Sequence, residues 1–278
     1  MSEKIHKYKS ADNLFKYHYA YENVDDTAII HTMHSHNQYE FLYLFEGDIE
    51  YAIEGASYKL TSGDIVFVNY HEFHSIKVFN KAMYHRVVFQ MSEKFISDSF
   101  GLTVDLFEQF KNKPIGRDNY IPRETAEKHG LDKLFLKLTS VKEENAENDL
   151  RIKCILVEML LNMRMLKHGN ETFKIKNNLI EGIVGYLNDH IEHDFTLEEA
   201  ADKFFISKFH LCRIFKREIG ISIGEYITKK RVMFANYYIQ RGMSATEASQ
   251  KTGFNNYSNF YRSFVKILGQ SPTNITKK

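Results

Sequence analysis

Residues 196–220 read TLEEAADKFFISKFHLCRIFKREIG, and this stretch decides the C-terminal half of the fold. Thr196, followed three residues later by Glu199, predicts a capping box, in which a hydroxyl and a carboxylate satisfy free amides at a helix start. A tight turn at residues 205–207 separates this short helix from a second, amphipathic helix of about a dozen residues. The order short helix, turn, second helix predicts a helix-turn-helix.

The same pattern occurs a second time, 48 to 49 residues further along the chain. Internal repeats of this kind mark repeated structural units. The positions that recur are Leu211, Arg213, Phe215 and Gly220, matched by Phe260, Arg262, Phe264 and Gly269. Residues 244–252 predict the second short helix, and one long helix over about residues 223–240 joins the two copies.

The second helix of each copy is predicted to bury one stripe of side chains and to expose the opposite face. An α-helix fits the major groove of B-DNA, where an arginine can donate two hydrogen bonds to guanine O6 and N7. Arg213 and Arg262 lie on the exposed faces and are the strongest candidates for reading bases. For either helix alone, a solvated surface is the alternative. The predicted buried stripes are Leu211, Ile214 and Phe215, and Phe260, Phe264 and Ile267.

Residues 195–272 resemble the AraC/XylS DNA-binding domain. The resemblance implies seven helices, two of which enter successive major-groove segments of double-stranded promoter DNA, about 34 Å apart. Ser249 and residues 274–278 depart from the family pattern. The matching positions are TLEEAA at 196–201, SKFHLCRIFKREIG at 207–220, Tyr226, Ile227, Arg231, Gly253, Phe254, Phe260, Arg262, Phe264, Gly269, Ser271 and Pro272.

Carried over by position, the resemblance divides the exposed side chains into two groups. The side chains at the family's base-contacting positions are Phe209, Cys212, Arg213, Tyr257, Ser258, Tyr261 and Arg262. Phosphate contacts, which position a protein without reading sequence, fall to Lys208, Lys216 and Lys266. The charge agrees with a nucleic-acid partner, since the chain from Glu171 onward carries 16 Lys and Arg against 11 Asp and Glu, and the preceding part has a net charge of −4.

The N-terminal part has a different period. Residues 14–90 alternate in period two and are interrupted by turn signals at Gly47, Gly55 and Gly63. Short strands with regular turns, and no long helices between them, predict an antiparallel barrel or sandwich. The predicted fold class is therefore α+β multidomain, with an N-terminal antiparallel β-barrel and helical hairpin and a C-terminal all-α domain containing two helix-turn-helix motifs.

Four polar side chains in the strand region form a candidate pocket. His34, His36 and Glu40 share even parity, so one extended strand would direct all three to the same face. His74, from a later strand, can complete a set of three histidines and one carboxylate that suits Mn, Fe, Ni or Zn.

The spacing of these residues resembles the two cupin motifs, in the form found in AraC-type sensor barrels, over residues 15–90. Asn69 and Val78 depart from the second motif. The resemblance implies a barrel without a metal or other cofactor, in which the four side chains line a pocket for a small effector, with a sugar or glycoside as the family-level expectation. An occupied metal site is the alternative.

A helical hairpin is predicted between the barrel and the DNA-binding domain. Its apolar stripes would either pair two subunits or pack on the barrel. The predicted division is a sensor barrel over residues 1–120, a dimerisation hairpin over 121–170 and a DNA-binding domain over 171–278, with the main boundary at 167–176.

The chain has no apolar run of signal-peptide or membrane-spanning length and its two cysteines have no metal or redox spacing, which predicts a cytoplasmic protein that does not contact membranes.

Two functions remain open at this point. The favoured one is a homodimeric transcription regulator, not an enzyme, whose effector changes how two subunits place their recognition helices on promoter DNA, with RNA polymerase as a candidate partner. The other is a metal-dependent cupin enzyme or metal sensor with a DNA-binding tail, supported only by His34, His36, Glu40 and His74.

Overall fold

The computed structural model describes residues 4–24, 28–70, 72–79, 82–101, 104–111, 113, 115–166, 178–193 and 195–275. The chain forms two compact units, Met1–Lys176 and Asn177–Lys278. The predicted main boundary at 167–176 lies outside the described residues. The predicted fold class is confirmed, with antiparallel sheets in the first unit and helices in the second.

The first unit contains two antiparallel sheets. The six-stranded sheet has the order β1 (Lys4–Lys9), β2 (Phe15–Val24), β9 (Ala82–Met91), β4 (Tyr39–Glu46), β7 (Ile65–Val68) and β10 (Tyr120–Ile121). The four-stranded sheet has the order β3 (Ala28–His34), β8 (His74–Val78), β5 (Ile49–Ile53) and β6 (Ala56–Leu60). Strands β1 and β10 lie outside the region in which the sequence predicted strands.

Both faces of the six-stranded sheet are covered, and β4 shows how. Tyr39, Phe41 and Tyr43 belong to a buried cluster that includes the helices of this unit. Leu42 and Leu44 belong to a second cluster with the four-stranded sheet. Because neighbouring residues of a strand point to opposite faces, one strand contributes to both cores.

The helices of this unit cover the outer face of the six-stranded sheet. They are α1 (Phe95–Phe100), α2 (Glu108–Lys111), α3 (Arg123–Lys128), α4 (Leu131–Ser140) and α5 (Ala146–Arg164). The predicted apolar stripes of the hairpin, in α4 and α5, are buried in the same cluster as the sheet. These stripes therefore pack on the barrel. If the hairpin pairs two subunits, it must do so through side chains outside these stripes. Asp149 lies within α5, where its carboxylate accepts hydrogen bonds from the Tyr8 hydroxyl at 2.7 Å and the Ala11 amide at 3.0 Å.

Seven helices occupy the described part of the second unit, as the family resemblance implied. They are α6 (Asn178–Asp189), α7 (Leu197–Lys203), α8 (Lys208–Ile219), α9 (Ile223–Gln240), α10 (Ala245–Lys251), α11 (Tyr257–Leu268) and α12 (Pro272–Ile275). Capping boxes begin α7, α9 and α10, at Thr196, Ser222 and Ser244.

The turns of the two helix-turn-helix copies have the same backbone conformation. Phe205 and Gly253 occupy equivalent places and both have positive φ, 56° and 75°. A glycine tolerates this conformation, whereas a side chain such as that of Phe205 makes it costly by about 1–2 kcal/mol. At Gly253 a Cβ atom would lie 2.8 Å from the Arg231 guanidinium carbon, so the glycine is required there for space as well.

A buried ion pair ties the 113–119 segment to the barrel. The Lys113 ammonium donates to Glu72 Oε1 at 2.5 Å, and both side chains are buried. Glu72 also accepts from the amides of Asn69 and Gly116 and from the Asn119 side chain. Burial raises the pKa of Glu72, but the charge of Lys113 and these hydrogen bonds outweigh it and hold the pKa below its usual range.

Replacing Lys113 with methionine leaves the Glu72 carboxylate buried without its cation, and we expect a loss of roughly 3–5 kcal/mol of stability at neutral pH. The deficit should shrink as the pH falls, because the carboxylate then takes up a proton more readily than in the wild type. Urea unfolding followed by circular dichroism measures both effects. Lys111→Met is the control, since Lys111 forms surface ion pairs that contribute about 0–1 kcal/mol; equal losses in the two variants would contradict the prediction.

Candidate DNA-binding surface and effector cavity

The surface of α8 combines exposed cations with an uncovered aromatic ring. Ser207 caps the helix by accepting from the His210 amide at 3.2 Å. The predicted stripe of Leu211, Ile214 and Phe215 is buried. Phe209 is 88% exposed, which leaves the ring available for an apolar contact outside the chain. Of the other predicted contact residues, Lys208, Arg213 and Lys216 are exposed and Cys212 is half-buried.

The surface of α11 has a similar arrangement. Asn256 caps this helix by accepting from the amides of Ser258 and Asn259. Phe260 and Phe264 are buried, and Ile267 is half-buried rather than fully buried, packing against the same core. The predicted contact residues Tyr257, Ser258, Tyr261, Arg262 and Lys266 are all exposed.

Each candidate base-reading arginine bonds to a side chain one turn earlier in its own helix. Arg213 Nη2 lies 3.2 Å from His210 Nδ1, and Arg262 Nη2 lies 2.5 Å from Asn259 Oδ1. A guanidinium has five N–H donors, so these contacts orient the group and leave donors for a base edge. Both guanidinium groups are thereby held toward the N-terminal half of the helix, the part that enters the groove in helix-turn-helix proteins.

Arg231 of α9 positions the second turn without being exposed on either recognition helix. Its guanidinium donates to the carbonyl oxygens of Ile191, Gly253 and His193 at 2.8, 2.5 and 2.8 Å. These bonds join the chain after α6 to the turn that precedes α11. The sequence matched Arg231 to the family pattern but gave it no role.

In the first unit, a cavity of about 500 Å³ lies between the two sheets. Its cationic side chains are Lys7, Lys9 and Lys16, which are exposed, and Arg86, which is buried. Arg86 lies 3.2 Å from Glu22 and its guanidinium covers the ring of Tyr84 at 4.0 Å. The remaining lining residues are Tyr8, Tyr17, His18, His34, Glu40, Tyr51, Ile76, Val88, Gln90 and Glu144.

The structure brings together all four predicted pocket residues. His36 Nε2 lies 2.9 Å from Glu40 Oε2, and His74 Nε2 lies 3.8 Å from Glu40 Oε1. The rings of His34 and His74 have centroids 4.2 Å apart. The predicted reason was wrong, however: His34 ends β3 and Glu40 lies in β4, with residues 35–38 crossing between the sheets. The residues meet because the two sheets face each other.

Burial controls the electrostatics of this cluster. Burial lowers the pKa of His74 to about 4, against the opposing charge of Glu40. For Glu40, burial raises the pKa, but the hydrogen bond from His36 and the charges of His74 and His36 outweigh it and lower the pKa. Tyr51 donates to Glu40 Oε1 at 2.6 Å and the Gln90 amide donates to Oε2 at 2.5 Å. Glu40 is thus an ionised, fully buried carboxylate with its hydrogen bonds satisfied.

Sequence profiles of two known domains match this chain. The AraC-like ligand binding domain matches residues 5–160, and a helix-turn-helix domain matches residues 200–278. The chain belongs to the AraC family of transcriptional regulators. The first match covers the cavity and the second covers α8 and α11, so this AraC-family protein combines a ligand-binding domain with a DNA-binding domain.

The chain is also similar to individual known proteins. This AraC-family protein is 23% identical over 250 residues to the HTH-type transcriptional activator RhaS of Escherichia coli, which covers 87% of this chain and 86% of RhaS. It is 32% identical over 102 residues to the HTH-type transcriptional regulator YtdP of Bacillus subtilis, covering 36% of this chain and 13% of YtdP. A crystal structure of apo ToxT from Vibrio cholerae aligns over 97% of this chain and 99% of ToxT, with 12% identity and a TM-score of 0.41.

In the described part of the chain, every helix is too short or too polar to cross a membrane.

Sequence reasoning missed an exposed apolar stripe on α5. Leu150, Cys154, Val157 and Leu161 follow one another at spacings of four, three and four residues, which places them on one helix face. Leu150 and Leu161 are 57% and 48% exposed and Cys154 is exposed, but Val157 is half-buried and contacts the core of this unit. The stripe that packs on the barrel is fully buried. The heptad-like spacing was visible in the sequence, but the helix is apolar on two faces and only burial distinguishes them.

We expect Arg213→Ala and Arg262→Ala each to weaken operator binding by about 1–3 kcal/mol, because each loses a bidentate contact to a base. Binding of the full chain to a mapped operator at fixed salt measures the effect, with circular dichroism as a check on folding. Arg151→Ala removes the same charge from the exposed surface of α5, where Arg151 pairs with Glu147 at 3.0 Å, and should bind like the wild type. Unchanged binding in both arginine variants of the recognition helices would contradict the groove assignment.

Proposed function

We propose that this AraC-family protein is a cytoplasmic, homodimeric transcription regulator whose promoter binding is controlled by a small organic anion in the cavity between its sheets. The observation that carries the proposal is the presence, on one chain, of two helix-turn-helix copies with exposed arginines and of a cavity whose lining includes three lysines and Arg86.

On the DNA side, α8 and α11 read adjacent major-groove segments. Arg213 and Arg262 bind guanine edges, and the exposed rings of Phe209 and Tyr261 contact thymine methyl groups. Lys208, Lys216 and Lys266 bind phosphates and contribute the salt-dependent part of the affinity. The exposure of these side chains supports this division.

On the effector side, the charge of the lining favours an anion. Lys7, Lys9, Lys16 and Arg86 bring four positive charges to the cavity, against the carboxylates of Glu40 and Glu144 in its lining and of Glu22, which pairs with Arg86. Arg86 is buried, and charge-assisted hydrogen bonds are stronger away from water. The family-level expectation of a sugar is compatible with a sugar acid, which has both hydroxyl groups and a carboxylate.

The dimer is proposed to form through the stripe of Leu150, Cys154, Val157 and Leu161 on α5. Apolar residues at spacings of three and four form the seam between paired helices. A second copy of the same stripe is a matching partner, because two-fold dimers use one surface twice. The apolar face of α5 that packs on the barrel is not available for this purpose.

The protein is proposed to bind its effector without converting it, in line with the regulators to which it is similar. An effector changes DNA binding only by preferring one of two arrangements of the protein. Contact with RNA polymerase at the promoter is the proposed route from DNA binding to transcription.

Retention of genomic fragments by the purified full chain, at fixed salt, tests the regulator function. We expect a few retained sites, each with paired half-sites about one helical turn apart, and altered retention in the presence of particular organic acids. Lys16→Gln should raise the acid concentration for half-maximal response roughly tenfold, since a charge-assisted bond is lost. Lys59→Gln, on the exposed face of β6, is the control and should respond like the wild type. Salt-sensitive retention of every fragment, or none, would rule the proposal out.

A double change of Leu150 and Leu161 to lysine should convert the dimer to a monomer, because it places charges in the middle of the apolar stripe. Sedimentation equilibrium measures the mass, and operator affinity should fall roughly 100-fold as the second subunit is lost. Leu136→Lys, on α4, changes a similarly exposed leucine outside the stripe and should leave the dimer intact. A double variant that stays dimeric would show that another surface pairs the subunits.

A further inference from the structure

We infer that His34, His36 and His74, together with Glu40, bind one divalent first-row transition metal ion at the inner end of the effector cavity. The inference deepens the proposed function, because His34 and Glu40 also line that cavity. It concerns the first unit alone and does not require that the second unit bind DNA.

The distances between the candidate ligands suit a single ion. One ring nitrogen from each of the three histidines lies within 4.8 Å of the other two. Metal–nitrogen bonds are about 2.0–2.1 Å long, so two ligands on opposite sides of an ion are about 4.2 Å apart. The three nitrogens therefore lie at or just beyond the spacing of ligands that share one ion. Glu40 Oε2, 2.9 Å from His36 Nε2, is at the spacing of neighbouring ligands.

The backbone orients two of the rings for coordination. His74 Nδ1 lies 2.9 Å from the Glu72 carbonyl oxygen, and His36 Nδ1 lies 3.0 Å from the Gln38 carbonyl oxygen. A carbonyl oxygen only accepts hydrogen bonds, so Nδ1 carries the hydrogen in both rings. His74 Nε2 therefore presents its lone pair to the cluster, whereas His36 Nε2 donates to Glu40 and has to release that hydrogen when an ion binds. Metal-binding histidines are held in this way, with the second ring nitrogen donating to a carbonyl or carboxylate.

The buried ring nitrogen Nε2 of His74 is the strongest evidence that the cluster binds a ligand. The side chain is 1% exposed, and this nitrogen has no hydrogen-bond partner among the described residues. Its separation of 3.8 Å from Glu40 Oε1 is too long for a hydrogen bond. A buried lone pair without a donor is costly, and a cation between His74, His34 and Glu40 supplies the missing partner.

The surroundings of Glu40 also fit. Tyr51 and Gln90 bond to its carboxylate and hold it in place, as outer partners do at metal sites. The Gln90 amide also lies 3.1 Å from His36 Nε2, so metal binding has to displace it from that nitrogen. Three imidazoles and one carboxylate match the preferences of Mn, Fe, Co, Ni and Zn rather than of Ca or Mg.

The site leaves one side of the ion facing the cavity. A carboxylate or hydroxyl of the proposed effector can bind there and complete the coordination. The ion then links effector binding to strands β3, β4 and β8 and to the segment between β3 and β4, which together hold the four ligands.

Titration of the untagged, full-length, chelator-treated chain with Mn²⁺, Co²⁺, Ni²⁺ and Zn²⁺, followed by calorimetry and by the visible absorption of bound Co²⁺, tests the site. We expect one ion per chain and Co²⁺ bands that report nitrogen and oxygen ligands. His36→Gln and His74→Gln should each weaken binding by more than about 100-fold, since loss of a ligand exceeds the effect of losing an outer partner. His85→Gln, on β9 and bonded to Tyr19, is the control and should bind like the wild type.

The absence of saturable binding at one ion per chain for all four ions would overturn the inference. Equal affinity in His36→Gln, His74→Gln and the wild type would do so as well, because the ion would then lie elsewhere. Retention of operator DNA by the same preparation reports on the regulator function separately: a chain that binds DNA but no metal overturns only the metal site, and one that binds metal but no DNA overturns only the regulator.

Discussion

The two-sided burial of the six-stranded sheet is the constraint on which the first unit depends. Side chains alternate between its faces, so one residue of β4 packs under the helices and the next enters the space between the sheets. The aromatic residues Tyr39 and Phe41 anchor the helical layer. Glu40, between them, is thereby directed into the barrel, where only polar partners make its burial tolerable. A shift of β4 by one residue in its pairing register would turn its aromatic side chains into the barrel and Glu40 toward the helices.

The cavity lies at the end of the sheets where the side chains directed into the barrel are polar instead of apolar. It therefore depends on the same alternation of side chains between the two faces. Leu42 and Leu44 fill the space toward one end of β4, and Glu40 marks the change to the other. The imidazoles come from β3, β8 and the segment between β3 and β4, so three separate parts of the chain must be in register before the cluster exists. A ligand that contacts all of them stabilises that register, which gives the barrel a physical means of responding to it.

The second unit is stabilised by helix caps that recur in its two helix-turn-helix copies. Each short helix begins with a capping box, and α8 and α11 both end at a glycine in the left-handed conformation, Gly220 and Gly269. Caps of this kind satisfy the free backbone groups at helix ends. The two copies are joined by contacts between more distant parts of the chain. Helix α9 connects them, and Arg231 in that helix donates to carbonyl groups about 40 residues earlier and 22 residues later. The Arg231 contacts fix the turn before α11 relative to the chain that follows α6.

The sequence by itself determined the two-part fold class, the two helix-turn-helix copies with the Thr196 capping box and the long helix between them, and the identity of the four residues that meet in the barrel. These depend on periodicity, capping and motif spacing, which are local. Tertiary structure alone decided that the hairpin stripes pack on the sheet, that α5 keeps a second apolar face exposed, and that β1 adds Lys7 and Lys9 to the cavity. It also gave the actual reason why His34 and Glu40 meet. Periodicity along a chain predicts which side chains share a face, but the partner of that face is set by contacts between residues far apart in sequence.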